Sequence, residues 1–288
     1  MPYKDHFIYT NKIRLHFIEY KTKNNLTPLI LLHGLTANAH TFDGLVCKGL
    51  AEKYHLYIPD LRGRGHSDKP AYNYSIRHHA KDIIGMMDQI GLEKVAIAGH
   101  SFGGLLGIYL AVHFPERIEK VVILDAAAEM NAKVGQMLMP VFKRLDKTFA
   151  SFEAYIEHTK ASPTLTFWDE VMTTYYRADV KTLPDGKVRT YSSLANIIKV
   201  TIGVSNQPWR RFFNDVTQPV LLINATDNYN LNEPLLPDYK AKESVRLLQN
   251  GTYLKVSGNH QTMLYGDGAE EIVEAMSAFI PEIAMAEV

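Results

Sequence analysis

Residues Gly99-His100-Ser101-Phe102-Gly103 constrain the fold more than any other stretch, because they join a run that reads as a buried strand to one that reads as a helix. Before them, Lys94-Val95-Ala96-Ile97-Ala98 is short and rich in small and β-branched apolar residues. After them, Gly103 to Phe114 buries its apolar positions only as a helix, which Pro115 stops. A serine at such a join stands on a sharp turn with strained dihedrals. The positions two before and two after it must be nearly free of side chain for strand and helix to approach. Gly99 and Gly103 meet that demand, so the stretch reads as a G-x-S-x-G nucleophile elbow with Ser101 as the candidate nucleophile.

The chain around this elbow alternates strands with helices. Phe7–Thr10 and Ile13–Tyr20, parted by Asn11-Lys12, read as an antiparallel hairpin. Pro28 to His33 is a continuous apolar run, as expected of a strand covered on both faces. A loop from Gly34 to Thr41, a helix from Phe42 to Tyr54 and a strand from His55 to Asp60 follow, then the turn-rich Leu61 to Pro70. Ser75 is expected to cap a helix to Ile90 that Gly91 ends, and a strand from Ile118 to Asp125 follows the elbow helix. Between Ala128 and Asp215 the rhythm breaks into helix-like segments rich in Met and aromatic residues. It resumes with strand 219–224, a helix within 236–248, strand 251–256 and a helix from about Ala269 to Phe279. The pattern predicts an α/β fold with a mostly parallel sheet wrapped by helices, its core at 1–127 and 216–288, and a helical cap at 128–215 inserted after the sixth strand.

Composition narrows the partners. Lys plus Arg equals Asp plus Glu at 31 each in 288 residues, so no global field recommends nucleic acid or an acidic membrane. The N-terminus lacks the pattern of a signal peptide, and no run has the apolar length of a membrane span, so a cytoplasmic protein is expected. Its single cysteine, Cys47, excludes an internal disulfide and a thiolate metal cluster; it is expected to be a packed thiol. No metal and no cofactor are expected, and the chain is expected to act as a monomer or homodimer on a small molecule.

In a parallel sheet, functional groups collect at the carboxyl ends of strands. Those ends carry Gly34 and Leu35, Asp60, Ser101, Asp125, Asp227 and His260. A serine hydroxyl needs a histidine base whose second nitrogen is held by a carboxylate. Of the 12 histidines, His260 lies in the loop between the last strand and the closing helix, whereas most others fall within helices, strands or the terminus. Asp227, which follows the strand before His260, is the preferred acid. Asp125 is the alternative, with a structural role bonding loop amides if it is not the acid.

His33-Gly34, Asp60-Leu61-Arg62-Gly63, Gly99-His100-Ser101-Phe102-Gly103-Gly104, Asp227 and Gly258-Asn259-His260 together resemble the α/β-hydrolase superfamily over nearly the whole chain outside the cap. The resemblance implies an eight-stranded sheet and the order nucleophile, acid, histidine. It also implies an oxyanion hole formed by the backbone N–H groups of Leu35 and Phe102. Two departures stand out: Asn224 where the family's strand usually ends in glycine, and Asn259 where a glycine often precedes the histidine. A serine nucleophile excludes the aspartate-bearing dehalogenases and epoxide hydrolases of that family. The expected activity is hydrolysis of a small, largely apolar carboxylic ester or lactone through an acyl-enzyme. A carbon-carbon bond hydrolase or thioesterase is the alternative, and a small-molecule receptor or pseudoenzyme the alternative of another class. His33, Gly34, Trp168, Trp209 and Met263 are expected to line the substrate pocket, and the Arg210-Arg211 pair is weighed as a carboxylate binder against a surface role.

Overall fold

The computed structural model describes residues 2–22 and 26–281 of the chain. An eight-stranded sheet forms its centre, built from β1 (Lys4–Thr10), β2 (Ile13–Tyr20), β3 (Thr27–Leu32), β4 (Tyr54–Pro59), β5 (Val95–His100) and β6 (Ile118–Leu124). After three short strands, β7 (Thr148–Phe149), β8 (Val180–Thr182) and β9 (Val188–Thr190), the same sheet continues with β10 (Val220–Ala225) and β11 (Gly251–Val256). Its order is β1-β2-β4-β3-β5-β6-β10-β11, with antiparallel pairing only where β2 meets β1 and β4. The opening hairpin turns at Asn11 and Lys12, both with positive φ, the conformation that matches the twist of the strands it joins.

Burial on both faces explains the apolar runs. Leu29 and Leu31 of β3 enter one core cluster together with Ala96, Ala98, Val122 and Leu124, while Ile30 and Leu32 enter the other with Val95, Ile97, Val121 and Ile123. Because successive side chains alternate across a strand, a strand covered on both faces must be apolar throughout.

Helices α1 (Asp43–Cys47), α2 (Leu50–Lys53), α3 (Ile76–Ile90) and α4 (Phe102–His113) cover the first half of the sheet. The expected single helix from Phe42 to Tyr54 is instead a 3-10 turn at Ala39–Phe42 followed by α1 and α2, split where Gly49 takes a φ of 91°. On so short a helix, Leu45 and Val46 face the core and Cys47 points out, so the thiol is exposed rather than packed. Ser75 stands at the start of α3, but its hydroxyl shares a hydrogen bond with His78 Nδ1 instead of capping the backbone.

Between β6 and β10 lie α5 (Val134–Met137), α6 (Met139–Arg144), α7 (Phe152–Lys160), α8 (Val171–Asp179), α9 (Leu194–Ser205) and α10 (Trp209–Asp215). This segment also carries a three-stranded antiparallel sheet in the order β7-β9-β8, which the helix-like pattern did not announce. Helices α11 (Asp238–Leu247) and α12 (Gly266–Phe279) complete the fold. The segment packs into both core clusters: Tyr155, Met172, Tyr175 and Tyr176 join one, and Val200, Trp209 and Phe213 the other. Among the described residues, no helix is long and apolar enough to cross a membrane.

Candidate active site

Ser101 follows β5 at the head of α4, with φ 53° and ψ −117°, a backbone conformation that is costly for a residue with a Cβ. Its flanking glycines are required by contact. A Cβ on Gly99 would lie 2.2 Å from the Gly103 carbonyl, and one on Gly103 only 1.9 Å from the Leu32 carbonyl oxygen. Ser101 lines a cavity of about 430 Å³ together with Gly34, Leu35, Phe102, His100 and His260.

His260 reaches this cavity from the loop after β11. Its Nδ1 donates to Asp125 Oδ2 at 2.7 Å, and both residues are buried. Asp125 directly follows β6, and its second oxygen accepts from Asn224 Nδ2 at 2.7 Å and from the Ala225 N–H at 3.0 Å. A carboxylate so bound fixes the imidazole as its Nδ1–H tautomer and leaves Nε2 for chemistry.

The preferred carboxylate, Asp227, does not take this place. It lies two residues beyond the end of β10, where the chain has left the sheet; its N–H bonds the Gly258 carbonyl and its side chain is exposed. The alternative, Asp125, is the one that meets His260, because β6 lies between β5 and β10 and its end faces the histidine loop.

Both departures from the family pattern have a local function. Asn224 holds Asp125, and its own Oδ1 accepts from the Tyr253 hydroxyl at 3.1 Å. Asn259 Nδ2 donates to the Thr164 carbonyl at 3.0 Å and the Asn228 carbonyl at 3.2 Å, while its Oδ1 accepts from the N–H groups of Gln261 and Thr262. The histidine loop is thereby tied to the inserted segment.

Leu35 and Phe102 line the same cavity as Ser101. Phe102 is the first residue of α4, where backbone N–H groups have no intrahelical partner and the helix dipole favours negative charge. A buried guanidinium supports the same corner: Arg64 Nε donates to the Leu35 carbonyl at 2.9 Å, and its Cζ lies 5.3 Å from the Phe102 ring centroid. Its other partners are the Arg62 carbonyl and His79 Nε2, so among the described residues it has no carboxylate partner. Burial pushes it down to about 9, which still leaves it charged at neutral pH.

The remaining pocket residues divide. Gly34 and Trp209 line the cavity, whereas His33, Trp168 and Met263 do not. His33 is fully buried, Nδ1 donating to the carbonyl of the lining residue Gly34 at 2.8 Å and Nε2 accepting the Leu61 N–H at 2.9 Å; burial lowers its pKa to about 4. Trp168 stacks on Tyr176 instead, and Met263 is buried in the core beside α12. Arg210 pairs with Glu129 and Arg211 with Asp215 on the surface, so neither reaches the cavity. His100, which adjoins the serine and is expected from the tight turn to point away from it, also lines the cavity; its Nε2 donates to the His260 carbonyl at 2.7 Å, and its buried Nδ1 has no partner among the described residues. Sequence reasoning missed Arg144, Tyr175 and Tyr176, whose only sequence signal was their place in an aromatic-rich insertion. Among the described residues, no group of three or more His, Cys, Asp or Glu side chains converges to hold a metal ion.

The model of the alpha/beta hydrolase fold family matches residues 27–266, and the chain belongs to that family. Over 132 residues it is 30% identical to cis-3-alkyl-4-alkyloxetan-2-one decarboxylase of Shewanella oneidensis, a match covering 44% of this chain and 40% of that one. It is 32% identical over 139 residues to a soluble epoxide hydrolase of Corynebacterium sp., covering 48% of this chain and 47% of that one. The chain thus spans less than half the length of these curated relatives. The crystal structure of E-2-(acetamidomethylene)succinate hydrolase superposes with a TM-score of 0.82 over 97% of this chain and 99% of that one, at 20% identity, a likeness of fold.

Proposed function

We propose that this protein is a serine hydrolase that cleaves a small, largely apolar carboxylic ester or lactone through an acyl-enzyme. The observation that carries the reading is the buried 2.7 Å bond from His260 Nδ1 to Asp125 Oδ2, made beside a serine held at a strained turn on the same cavity. In this reading Ser101 Oγ attacks the carbonyl carbon while His260 Nε2 takes its proton. The N–H groups of Leu35 and Phe102 stabilise the oxyanion, and the leaving alcohol departs with the proton from His260. Water then repeats the sequence on the Ser101 ester, releasing the acid. Asp125 orients the imidazole and stays ionised. Residues 128–215 act as the cap, and the apolar side chains they bring to the cavity, such as Val134, Leu138 and Phe142, support an apolar substrate.

The test is Ser101→Ala against 4-nitrophenyl esters of short acids and a lactone panel, together with labelling of the wild-type protein by a fluorophosphonate. Turnover and labelling are expected to disappear in the variant, while its circular dichroism matches the wild type. Activity near the parent value in Ser101→Ala would exclude this nucleophile.

A further inference from the structure

The cavity wall contributed by the inserted segment carries one charged donor, Arg144, the last residue of α6. Its Nη1 donates to the Tyr155 hydroxyl at 2.7 Å and to Asp179 Oδ2 at 2.8 Å, and the Tyr155 hydroxyl donates to the same carboxylate oxygen. Tyr155 belongs to α7 and Asp179 closes α8, so three helices set the direction of the guanidinium. Both of these bonds leave from one nitrogen. A guanidinium is a planar fork in which Nε–H and one Nη2–H lie parallel along a single edge. Among the described residues no carboxylate meets that edge of Arg144, and the Tyr175 hydroxyl lies within hydrogen-bonding reach of the guanidinium. The cavity is also lined by side chains able to hydrogen-bond, among them Thr159, Tyr175 and Gln261, and by apolar ones such as Leu105, Val204 and Trp209, which pack in one cluster with Phe102.

We propose that the Nε/Nη2 edge of Arg144 is a carboxylate subsite, and that the substrate is an ester or lactone bearing a free carboxylate. A carboxylate is the planar, bidentate acceptor that matches such an edge, and a bidentate charge-assisted pair of this kind is among the stronger hydrogen-bonded contacts. Asp179 and Tyr155 hold the guanidinium in place, and Ser101 and Arg144 line one cavity, so a single ligand of suitable length would reach both. The inference rests on the reading of Ser101 as nucleophile.

The experiment compares kcat/KM for mono-4-nitrophenyl succinate, glutarate and adipate with neutral 4-nitrophenyl esters of matched length. Each comparison is a ratio within one protein, so a general loss of fold cancels. Wild type is expected to prefer the best hemi-ester by about tenfold or more. In Arg144→Gln the ratio should fall to about one, and Arg144→Lys, which keeps the charge without the fork, should lie between. A wild-type ratio of one, or a ratio unchanged in Arg144→Gln, overturns the subsite and leaves Arg144 as a clamp between helices. If Arg144→Gln does not fold, an unchanged ratio in Arg144→Lys overturns it instead. If wild type hydrolyses no ester, the nucleophile reading fails separately. The subsite is then decided by calorimetry on Ser101→Ala: monomethyl glutarate should bind, and adding Arg144→Gln should weaken it about tenfold, whereas equal affinity refutes it.

Discussion

At Asp125 both carboxylate oxygens are occupied, one by His260 and the other by Asn224 and the Ala225 N–H, so the side chain has no freedom to turn. Asp125→Asn is expected to lower kcat for a 4-nitrophenyl ester by about 10⁴, because an amide there favours the wrong imidazole tautomer. Asp227→Asn, at an exposed position, should leave kcat within about threefold, the scale of surface substitutions. Equal losses would show that neither carboxylate alone orients the base. Asn224→Gly, which restores the residue common in the family, should cost between about tenfold and a hundredfold in kcat by letting Asp125 drift. Ser101 and His260 were legible because each stands in a distinctive local stretch. The carboxylate that meets the histidine was not, since Asp125 and Asp227 both follow strands, and choosing between them requires knowing which strand end faces the histidine.

The elbow is the element whose geometry is most tightly set by its own residues. Gly103→Ala pushes a methyl group into the Leu32 backbone and is expected to destabilise the protein by about 2 kcal/mol or more. Gly135→Ala on α5 meets nothing within 4 Å and should instead stabilise by up to about 1 kcal/mol. Urea unfolding of the two variants separates contact from propensity, and similar shifts would contradict the contact argument. The same element shows what periodicity conveys: β5 and α4 fall where the apolar runs place them, because strand and helix must each bury a face whatever their neighbours. By contrast the 128–215 stretch hides a small antiparallel sheet, since strands of two or three residues carry no period to read.

Across the whole molecule, charge is buried in ways that make stability depend on pH. Burial holds His33 down to about 4 and pushes His79 and His100 well below the ordinary histidine value, the latter two also opposed by Arg64 and His260 respectively. The unfolded chain binds protons at these sites near pH 6.5 while the folded chain does not. Their contribution is therefore complete above that pH and shrinks as pH falls, by up to about 1.4 kcal/mol per unit for each group. His16 and His40 act in the opposite sense, because bonds to Asp60 and Asp43 outweigh their burial and raise them. Burial also lowers His66, His78 and His158, so with six lowered histidines against two raised, urea stability is expected to decline from pH 6.5 to 4.5, and the imidazole nitrogen resonances of His33 should stay those of the neutral Nδ1–H form down to about pH 4. A stability that rises on acidification would refute this balance. The amino-acid sequence by itself determined the sheet-and-helix rhythm, the elbow with its two glycines and the histidine loop, because each follows from steric and burial demands within a few neighbouring residues. Only the tertiary structure decided that Asp125 meets His260, that His33 is buried against the Gly34 carbonyl instead of lining the cavity, and that Arg144 lines it. Those outcomes depend on which strands lie side by side and on where a side chain points, and both are settled when distant segments pack.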